Sequence, residues 1–308
     1  EFVKAYGGKH MAFESLEQVT LRQAIKDIFK QDRMPDFDIA NTKYLLSFGA
    51  DFLSTWLSPV KNARGYGELR QGSGKRGIHV QVDSRFSMTG ANADEWVYIK
   101  PGWEGHLALS IASEIVSVGG GDSGAVSKLT SDGADLEAYS ADRVSERIGV
   151  DADRIKRIAD EFATHAPSLA IGGGSAGANN NGLFNLEAIY VLNYLVGSVG
   201  AKGGVKFNPG SPWEGVPASS RTGGLEDWSR IADQIRSGQT RLLLLHNADP
   251  VHGTPESLRL RDAITQADDL FVISFSPFLD DTSTLADLIL PDRVYLEDWE
   301  DDIPEPGP

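Results

Sequence analysis

Short apolar runs alternate with amphipathic stretches along most of this chain. The apolar runs predict six strands, at residues 44–48, 77–82, 97–99, 168–171, 241–245 and 270–274. The stretches with helical spacing predict helices at residues 16–29, 107–116, 151–165, 183–196, 225–236 and 255–267, and residues 285–290 form one more short run that we expect to be buried. Strands that alternate with helices favour parallel sheets covered on both faces. The pattern therefore predicts an α/β protein with two Rossmann-like, doubly wound lobes.

Glycine, proline and polar residues divide this pattern into four parts. We expect an N-terminal helical segment over residues 1–40 and part of a first lobe over residues 41–118. A second lobe with a Gly/Pro-rich loop is expected over residues 119–224, with residues 202–224 as a long surface or cofactor-covering loop. Residues 225–308 are expected to return to the first type of lobe.

The residues that follow each predicted strand are the candidates for ligand binding. In parallel sheets, ligands bind beyond the carboxyl ends of the strands, where loops and helix N-termini expose backbone N–H groups. Carboxylates there can accept bonds from a base or a ribose, and lysine and backbone N–H groups can face phosphates, although an aspartate in a turn often caps the turn itself. The predicted cofactor-binding residues are Gly49, Asp51, Asp83, Arg85, Lys100, Gly102, Gly172, Gly174, Asn247, Asp249 and Ser274.

A glycine-rich turn follows the fourth strand. Gly172, Gly174 and Gly177 have the spacing G-x-G-x-x-G, between a strand and a helix. A dinucleotide site also needs an acidic residue at the end of a second strand about 20 residues further on, and that region here is a helix end and a turn. A nicotinamide or flavin site and a purely structural tight turn both stay open as interpretations.

Composition excludes several classes of function. With 44 acidic and 29 basic residues, the net charge of -15 makes nucleic acid an unfavourable partner. No apolar run is long enough for a membrane helix. The chain has no cysteine, so it offers no thiolate to an iron–sulfur cluster. Its six histidines form none of the usual metal-binding motifs, and we expect neither a metal site nor a catalytic residue.

Several longer segments, in their order and spacing, resemble one family. Residues 47–56 (Ser-Phe-Gly-Ala-Asp-Phe-Leu-Ser-Thr-Trp) look like the first dinucleotide-contact loop of the molybdopterin oxidoreductases. Residues 82–85 and 89–96 resemble the family's Asp-Pro-Arg strand end and its Ala-Asp-x-Trp segment. Residues 99–104, 193–204, 247–250 and 280–291 are similar to its Arg-Pro-Gly turn, its Gly-Gly loop, its Asn-Pro position and its Ala-Asp-x-Val-Leu-Pro stretch. Over roughly residues 40–302, the chain resembles the dimethyl sulfoxide reductase superfamily.

Within that superfamily, the motifs look most like the large iron–sulfur subunit of alternative complex III, a bacterial quinol oxidoreductase, and menaquinone reductase complexes have a similar subunit. The resemblance implies a scaffold for electron transfer at the periplasmic face of the inner membrane, with no cofactor in this segment. The implied partners are an iron–sulfur domain or subunit, cytochrome c and quinol-binding membrane subunits. Iron–sulfur clusters are then expected in the rest of the polypeptide or complex.

The chain departs from the wider family in lacking its cluster-binding cysteines and the segment that ligates molybdenum. We therefore expect it to be a portion of a larger polypeptide. One alternative is part of a catalytic molybdenum enzyme of the polysulfide, thiosulfate or formate type, which binds molybdopterin guanine dinucleotide. Another is a nucleotide-binding module unrelated to redox chemistry.

Overall fold

A computed structural model describes residues 2–13, 18–71, 76–122, 124–127, 135–208 and 222–299. The described strands are β1 (Ala12–Phe13), β2 (Pro35–Phe37), β3 (Tyr44–Phe48), β4 (Ile78–Asp83), β5 (Glu95–Tyr98), β6 (Ser168–Gly172), β7 (Val205–Phe207), β8 (Thr222–Gly223), β9 (Leu242–Leu245), β10 (Phe271–Ser274) and β11 (Leu288–Ile289). The described α-helices are α1 (Phe2–Ala5), α2 (Val19–Phe29), α3 (Pro59–Gln71), α4 (Met88–Asn92), α5 (Glu104–Ser117), α6 (Ala141–Ile148), α7 (Ala152–Thr164), α8 (Gly182–Leu195), α9 (Leu225–Arg236), α10 (Pro250–Gly253) and α11 (Leu260–Thr265).

The chain divides into two compact units. Within the described residues, the larger unit consists of residues 20–208, and the smaller unit consists of residues 2–13, 18–19 and 222–299. Each unit has its own hydrophobic core.

A four-stranded parallel sheet forms the centre of the larger unit, in the order β5-β4-β3-β6. All residues of the central strand β3 are buried, and so are all residues of β6 at the edge of the sheet. Helix α5 packs against α7 and α8, and α7 buries an apolar stripe that includes Ile155, Ile158 and Phe162. The antiparallel pair β2 and β7 lies outside this sheet.

The smaller unit contains a three-stranded parallel sheet in the order β11-β10-β9. Helices α9 and α11 contribute Trp228, Ile235 and Leu260 to its core. Phe13, beside the short parallel pair β1 and β8, contacts the Trp228 ring edge to face at 5.2 Å between ring centroids. No described helix has the length and apolar character needed to cross a membrane.

The predicted fold class is confirmed, because the central sheets of both units are parallel. Three local predictions are wrong. Residues 205–207 of the expected surface loop form strand β7, in which Val205 is fully buried. The single helix expected over residues 255–267 is a 3-10 turn (Glu256–Leu258) followed by α11, since Arg259 between them has a left-handed backbone (φ 49°). The run 285–290 is not buried as expected: Leu288 and Ile289 are exposed because β11 is an edge strand.

The predicted domain boundaries need correction. Strand β6, which was assigned to a second lobe over residues 119–224, pairs with β3 in the same sheet. Residues 225–299 do not return to the lobe of residues 41–118 but form a separate unit, and the N-terminal segment 1–40 is shared between the two units. Long-range strand pairing is the reason, because local sequence does not specify which strand lies beside which. Residues 209–221 of the predicted loop and residues 300–308 lie outside the described part of the chain.

Candidate functional site

The carboxyl ends of β3 and β6 approach each other so closely that the loops after them need glycine. Gly49 and Gly174 both have a left-handed backbone, with φ of 63° and 52°. A Cβ atom on Gly174 would lie 2.5 Å from the carbonyl oxygen of Gly49. Gly49 and Gly174, both predicted to bind a cofactor, therefore lie close together. Because they lack a side chain, the two loops can pack against each other.

Asp51 follows this loop and is almost fully buried. Its Oδ1 accepts hydrogen bonds from the Thr89 hydroxyl at 2.6 Å and from the Thr89 N–H at 3.2 Å. The same hydroxyl accepts a bond from the Leu53 N–H at 3.1 Å. The Oδ2 atom of Asp51 accepts a bond from the exposed guanidinium of Arg85 at 3.2 Å. The structure thus brings Asp51 and Arg85 together as an ion pair.

Asp83, at the end of β4, is 1% exposed. Its Oδ1 accepts bonds from the Arg85 N–H and the Ser175 hydroxyl, both at 3.2 Å. Ser175 also stands in a G-x-S-x-G spacing with Gly173 and Gly177, which the sequence analysis did not use. Because its hydroxyl donates to Asp83, and no histidine of the described residues is hydrogen-bonded to it, the arrangement lacks the base that a nucleophilic serine needs.

Backbone N–H groups of the glycine-rich turn are already bonded within the protein. The N–H groups of Gly173, Ser175 and Ala176 donate to the carbonyl oxygens of Phe48, Gly49 and Gly173, respectively. Those of Gly177 and Ala178 donate to the carbonyls of Gly174 and Ser175, as in a 3-10 turn. The carbonyl of Gly172 accepts the Tyr190 hydroxyl at 2.6 Å. A phosphate site needs N–H groups that point at the anion, and these five already donate to the protein.

Lys100 and Gly102 follow β5 on a neighbouring loop. The Lys100 ammonium donates to the carbonyl oxygen of Arg147 at 3.0 Å, near the end of α6. The carbonyl of Gly102 accepts a bond from the Asn181 amide at 2.6 Å. Both residues thus connect neighbouring elements of the larger unit.

The sequence analysis missed a buried polar pair beside this edge, Glu104 and Asn185. The Asn185 amide donates to Glu104 Oε2 and to the carbonyl of Ala176, both at 3.1 Å, and its oxygen accepts the Gly105 N–H at 3.0 Å. Burial raises the pKa of Glu104, and the charge of Asp83 raises it further. A glutamate at the first position of a helix usually marks a solvated first turn, so sequence gives no signal that this one is buried.

The remaining predicted residues lie in the smaller unit. Asn247 is exposed and has a left-handed backbone, with φ of 48°. Asp249 Oδ1 accepts bonds from the Thr282 hydroxyl at 2.5 Å, the Thr282 N–H at 3.1 Å and the His252 N–H at 3.3 Å. The buried hydroxyl of Ser274 bonds to that of Ser283 at 2.8 Å.

The same hydrogen-bonding pattern occurs once in each unit. Asp51 and Asp249 both follow a strand after a residue with a left-handed backbone, and both accept two bonds from a threonine, Thr89 or Thr282. In each unit that threonine hydroxyl also accepts the N–H two residues beyond the aspartate.

The pattern continues at the second strand of each unit. Asp94 accepts the N–H of His79 at 2.8 Å, and Asp287 accepts the N–H of Val272 at 2.7 Å. In both cases the aspartate precedes the edge strand of its sheet. Two units that repeat these four equivalent hydrogen bonds indicate an internal structural repeat.

The chain belongs to the molybdopterin oxidoreductase family, whose model matches residues 2–302. It is 27% identical over 278 residues to the molybdopterin-binding-like subunit of menaquinone reductase from Nitratidesulfovibrio vulgaris, an alignment that covers 86% of this chain and 38% of that protein. It is 32% identical over 211 residues to the molybdopterin-containing subunit of arsenate respiratory reductase from Chrysiogenes arsenatis, covering 59% of this chain and 24% of that protein.

The fold is similar to that of acetylene hydratase from Pelobacter acetylenicus, with a TM-score of 0.69 and 16% identity. That match covers 89% of this chain and 44% of the hydratase chain. The chain therefore spans less than half the length of these relatives.

Proposed function

We propose that this chain is the α/β region of the large subunit of a membrane-associated respiratory complex that exchanges electrons with a quinone pool, of the alternative complex III or menaquinone reductase type. In that complex it is a scaffold for electron transfer without a redox centre of its own. The similarity to a menaquinone reductase subunit described as molybdopterin-binding-like supports the link to quinones.

One observation carries the scaffold role: at the strand ends of the larger unit, the groups that would contact a dinucleotide already bind one another. Five N–H groups of the turn, those of Gly173 and of residues 175–178, donate to protein carbonyls. Asp83 and Asp51 are buried and hydrogen-bonded to Ser175, Thr89 and Arg85. A pterin dinucleotide that used the same N–H donors and the same carboxylate oxygens would compete with these bonds.

The partners that we propose are an iron–sulfur domain or subunit, cytochrome c and quinol-binding membrane subunits, at the periplasmic face of a bacterial inner membrane. Iron–sulfur clusters belong in the rest of the polypeptide or complex, because this segment has no thiolate ligand. The second candidate is a segment of a catalytic molybdenum reductase, which the similarity to an arsenate reductase subunit favours.

Metal and nucleotide analysis of the intact complex, purified from its native source, tests the proposal. We expect iron, with neither molybdenum nor tungsten in stoichiometric amount and no guanine nucleotide released on acid denaturation. Stoichiometric molybdenum with released guanine nucleotide would reject the scaffold role and support the catalytic enzyme. Loss of the complex on deletion of this segment is expected for a scaffold.

A further inference from the structure

The internal repeat differs at the residues that end and follow its second strand. In the larger unit, the Oδ2 atom of Asp51 binds the guanidinium of Arg85, two residues after the end of β4. The matching residue of the smaller unit is Ser276, whose N–H donates to Ser274 as the N–H of Arg85 donates to Asp83, each at 3.2 Å. Ser276 offers no guanidinium to Asp249, while Ser274 lacks the carboxylate of Asp83, so the formal charge of the three matched positions is the same in both units.

Asp249 is therefore left with one carboxylate oxygen available. All of its hydrogen bonds go to Oδ1, and Oδ2 has no hydrogen-bond partner among the described residues. No lysine or arginine of the described chain forms an ion pair with it, whereas its counterpart Asp51 has such a partner.

Two further metal-ligand side chains lie beside Asp249. One ligand atom each from Asp249, His252 and Asp281 lie within 4.8 Å of one another. The Nδ1 of His252 and the Oδ2 of Asp281 are 3.3 Å apart. Ligand atoms of a tetrahedral zinc ion, with bonds of about 2.1 Å, lie about 3.4 Å from each other. The histidine and Asp281 thus already have the spacing of two zinc ligands.

We propose that Asp249, His252 and Asp281 bind a divalent transition-metal ion, with Zn²⁺ as the best match to one imidazole and two carboxylates. Thr282 is the residue that orients Asp249, because its hydroxyl and N–H hold Oδ1 and direct Oδ2 away.

A tetrahedral ion held by these three side chains keeps a fourth coordination position, which is available to water or to a small ligand. The side chains of His252 and Asp281 are 78% and 55% exposed. Together with Thr254, Glu256 and Arg259 they line a cavity of about 250 Å³. An incomplete protein ligand set beside a cavity is the arrangement of an exchangeable metal site.

Isothermal titration of the untagged chain with ZnCl₂, and separately with MgCl₂, tests this inference. We expect one Zn²⁺ per chain and much weaker Mg²⁺ binding, since imidazole favours zinc over magnesium. His252→Ala and Asp281→Asn are expected to weaken Zn²⁺ binding by at least about tenfold. Both side chains are mostly exposed, so circular dichroism should show that the variants fold.

His246→Ala is the matched control. His246 is also exposed and pairs with one aspartate, Asp292, at 2.8 Å, but among the described residues no third ligand completes a metal-binding group there. This variant should keep the zinc affinity of the unmodified chain. Absence of stoichiometric zinc binding, or an equal loss in His246→Ala, would overturn the proposal. The titration involves no electron transfer, so its outcome is independent of the proposed respiratory function.

Discussion

A buried aspartate is stable only if hydrogen bonds replace the water that it loses. In both units a single threonine does this, with two bonds to one oxygen of the aspartate. The Thr89 hydroxyl donates to the Asp51 carboxylate and accepts the Leu53 N–H, so it satisfies two other polar groups at once. Thr89 is fully buried, and a change there cannot be compensated by solvent.

Replacing Thr89 by valine keeps the shape of the side chain and removes its hydroxyl. The Asp51 oxygen and the Leu53 N–H then each lose a partner, so we expect the free energy of unfolding to fall by about 2–3 kcal/mol. Thr89→Ser keeps the hydroxyl and should cost clearly less. Urea unfolding of both variants measures the difference. A valine variant as stable as the unmodified chain would show that the hydroxyl does not matter.

His79 makes stability depend on pH. It is fully buried in β4, and burial lowers its pKa from 6.5 to about 4. At His79, the unfolded chain therefore binds a proton more readily than the folded chain does. The free energy of unfolding is unaffected by this group above pH 6.5 and decreases as the pH falls from 6.5 towards 4. The total is about 3 kcal/mol.

The measurement is urea unfolding at pH 7 and at pH 4.5, for the unmodified chain and for His79→Gln. We expect the pH-dependent loss to be smaller in the variant by up to about 3 kcal/mol, whatever its stability at pH 7. The same slope in both proteins would mean that other groups, such as the carboxylates, cause all of the acid sensitivity.

At the scale of elements, the turn between β6 and α8 is formed by close packing against the protein. A Cβ atom on Gly173 would lie 2.1 Å from the Nε1 of Trp56. The backbone of Gly173 is extended, so any residue could adopt it, and only the contact requires glycine. Motif spacing alone therefore cannot distinguish a phosphate-binding turn from a packed one.

Gly173→Ala should lower the free energy of unfolding by about 1–3 kcal/mol, because the new methyl group overlaps a ring that is 4% exposed. Gly67→Ala in α3 is the matched control: its Cβ would meet no atom within 4 Å, and alanine should stabilise the helix by up to about 1 kcal/mol. Thermal unfolding compares the two. A neutral Gly173→Ala would show that the Trp56 ring can move aside.

Burial and packing also explain which elements could be predicted from the sequence. Strands such as β3 were predictable because burial on both faces requires a short apolar run. Helix α3 was not, since its buried residues are only Asn62, Tyr66 and Leu69 and it contains two glycines. The strand-end residues were predictable from topology. Their partners were not, because Thr89 and Ser175 are distant in sequence from the aspartates that they bind.

At the scale of the whole molecule, the absence of cysteine limits the chemistry of the chain. Proteins hold iron–sulfur clusters through thiolates, and this chain of 308 residues has none to offer. Multielectron chemistry would have to come from a bound cofactor, with the protein supplying binding and electrostatics. In the larger unit, the groups placed to bind such a cofactor are bonded to each other.

We therefore predict that the chain expressed alone catalyses no electron transfer. The assay is quinol oxidation and acceptor reduction by the folded chain, with molybdenum, tungsten, iron and zinc measured on the same sample. Under the proposed function, activity should appear when the partners that carry iron–sulfur clusters are added, since they supply the path for electrons. Zinc binding at Asp249 leaves this expectation unchanged, because zinc has no redox chemistry. Turnover by the chain alone with stoichiometric molybdenum would contradict the prediction, as a molybdenum centre can be held by its pterin without a protein thiolate.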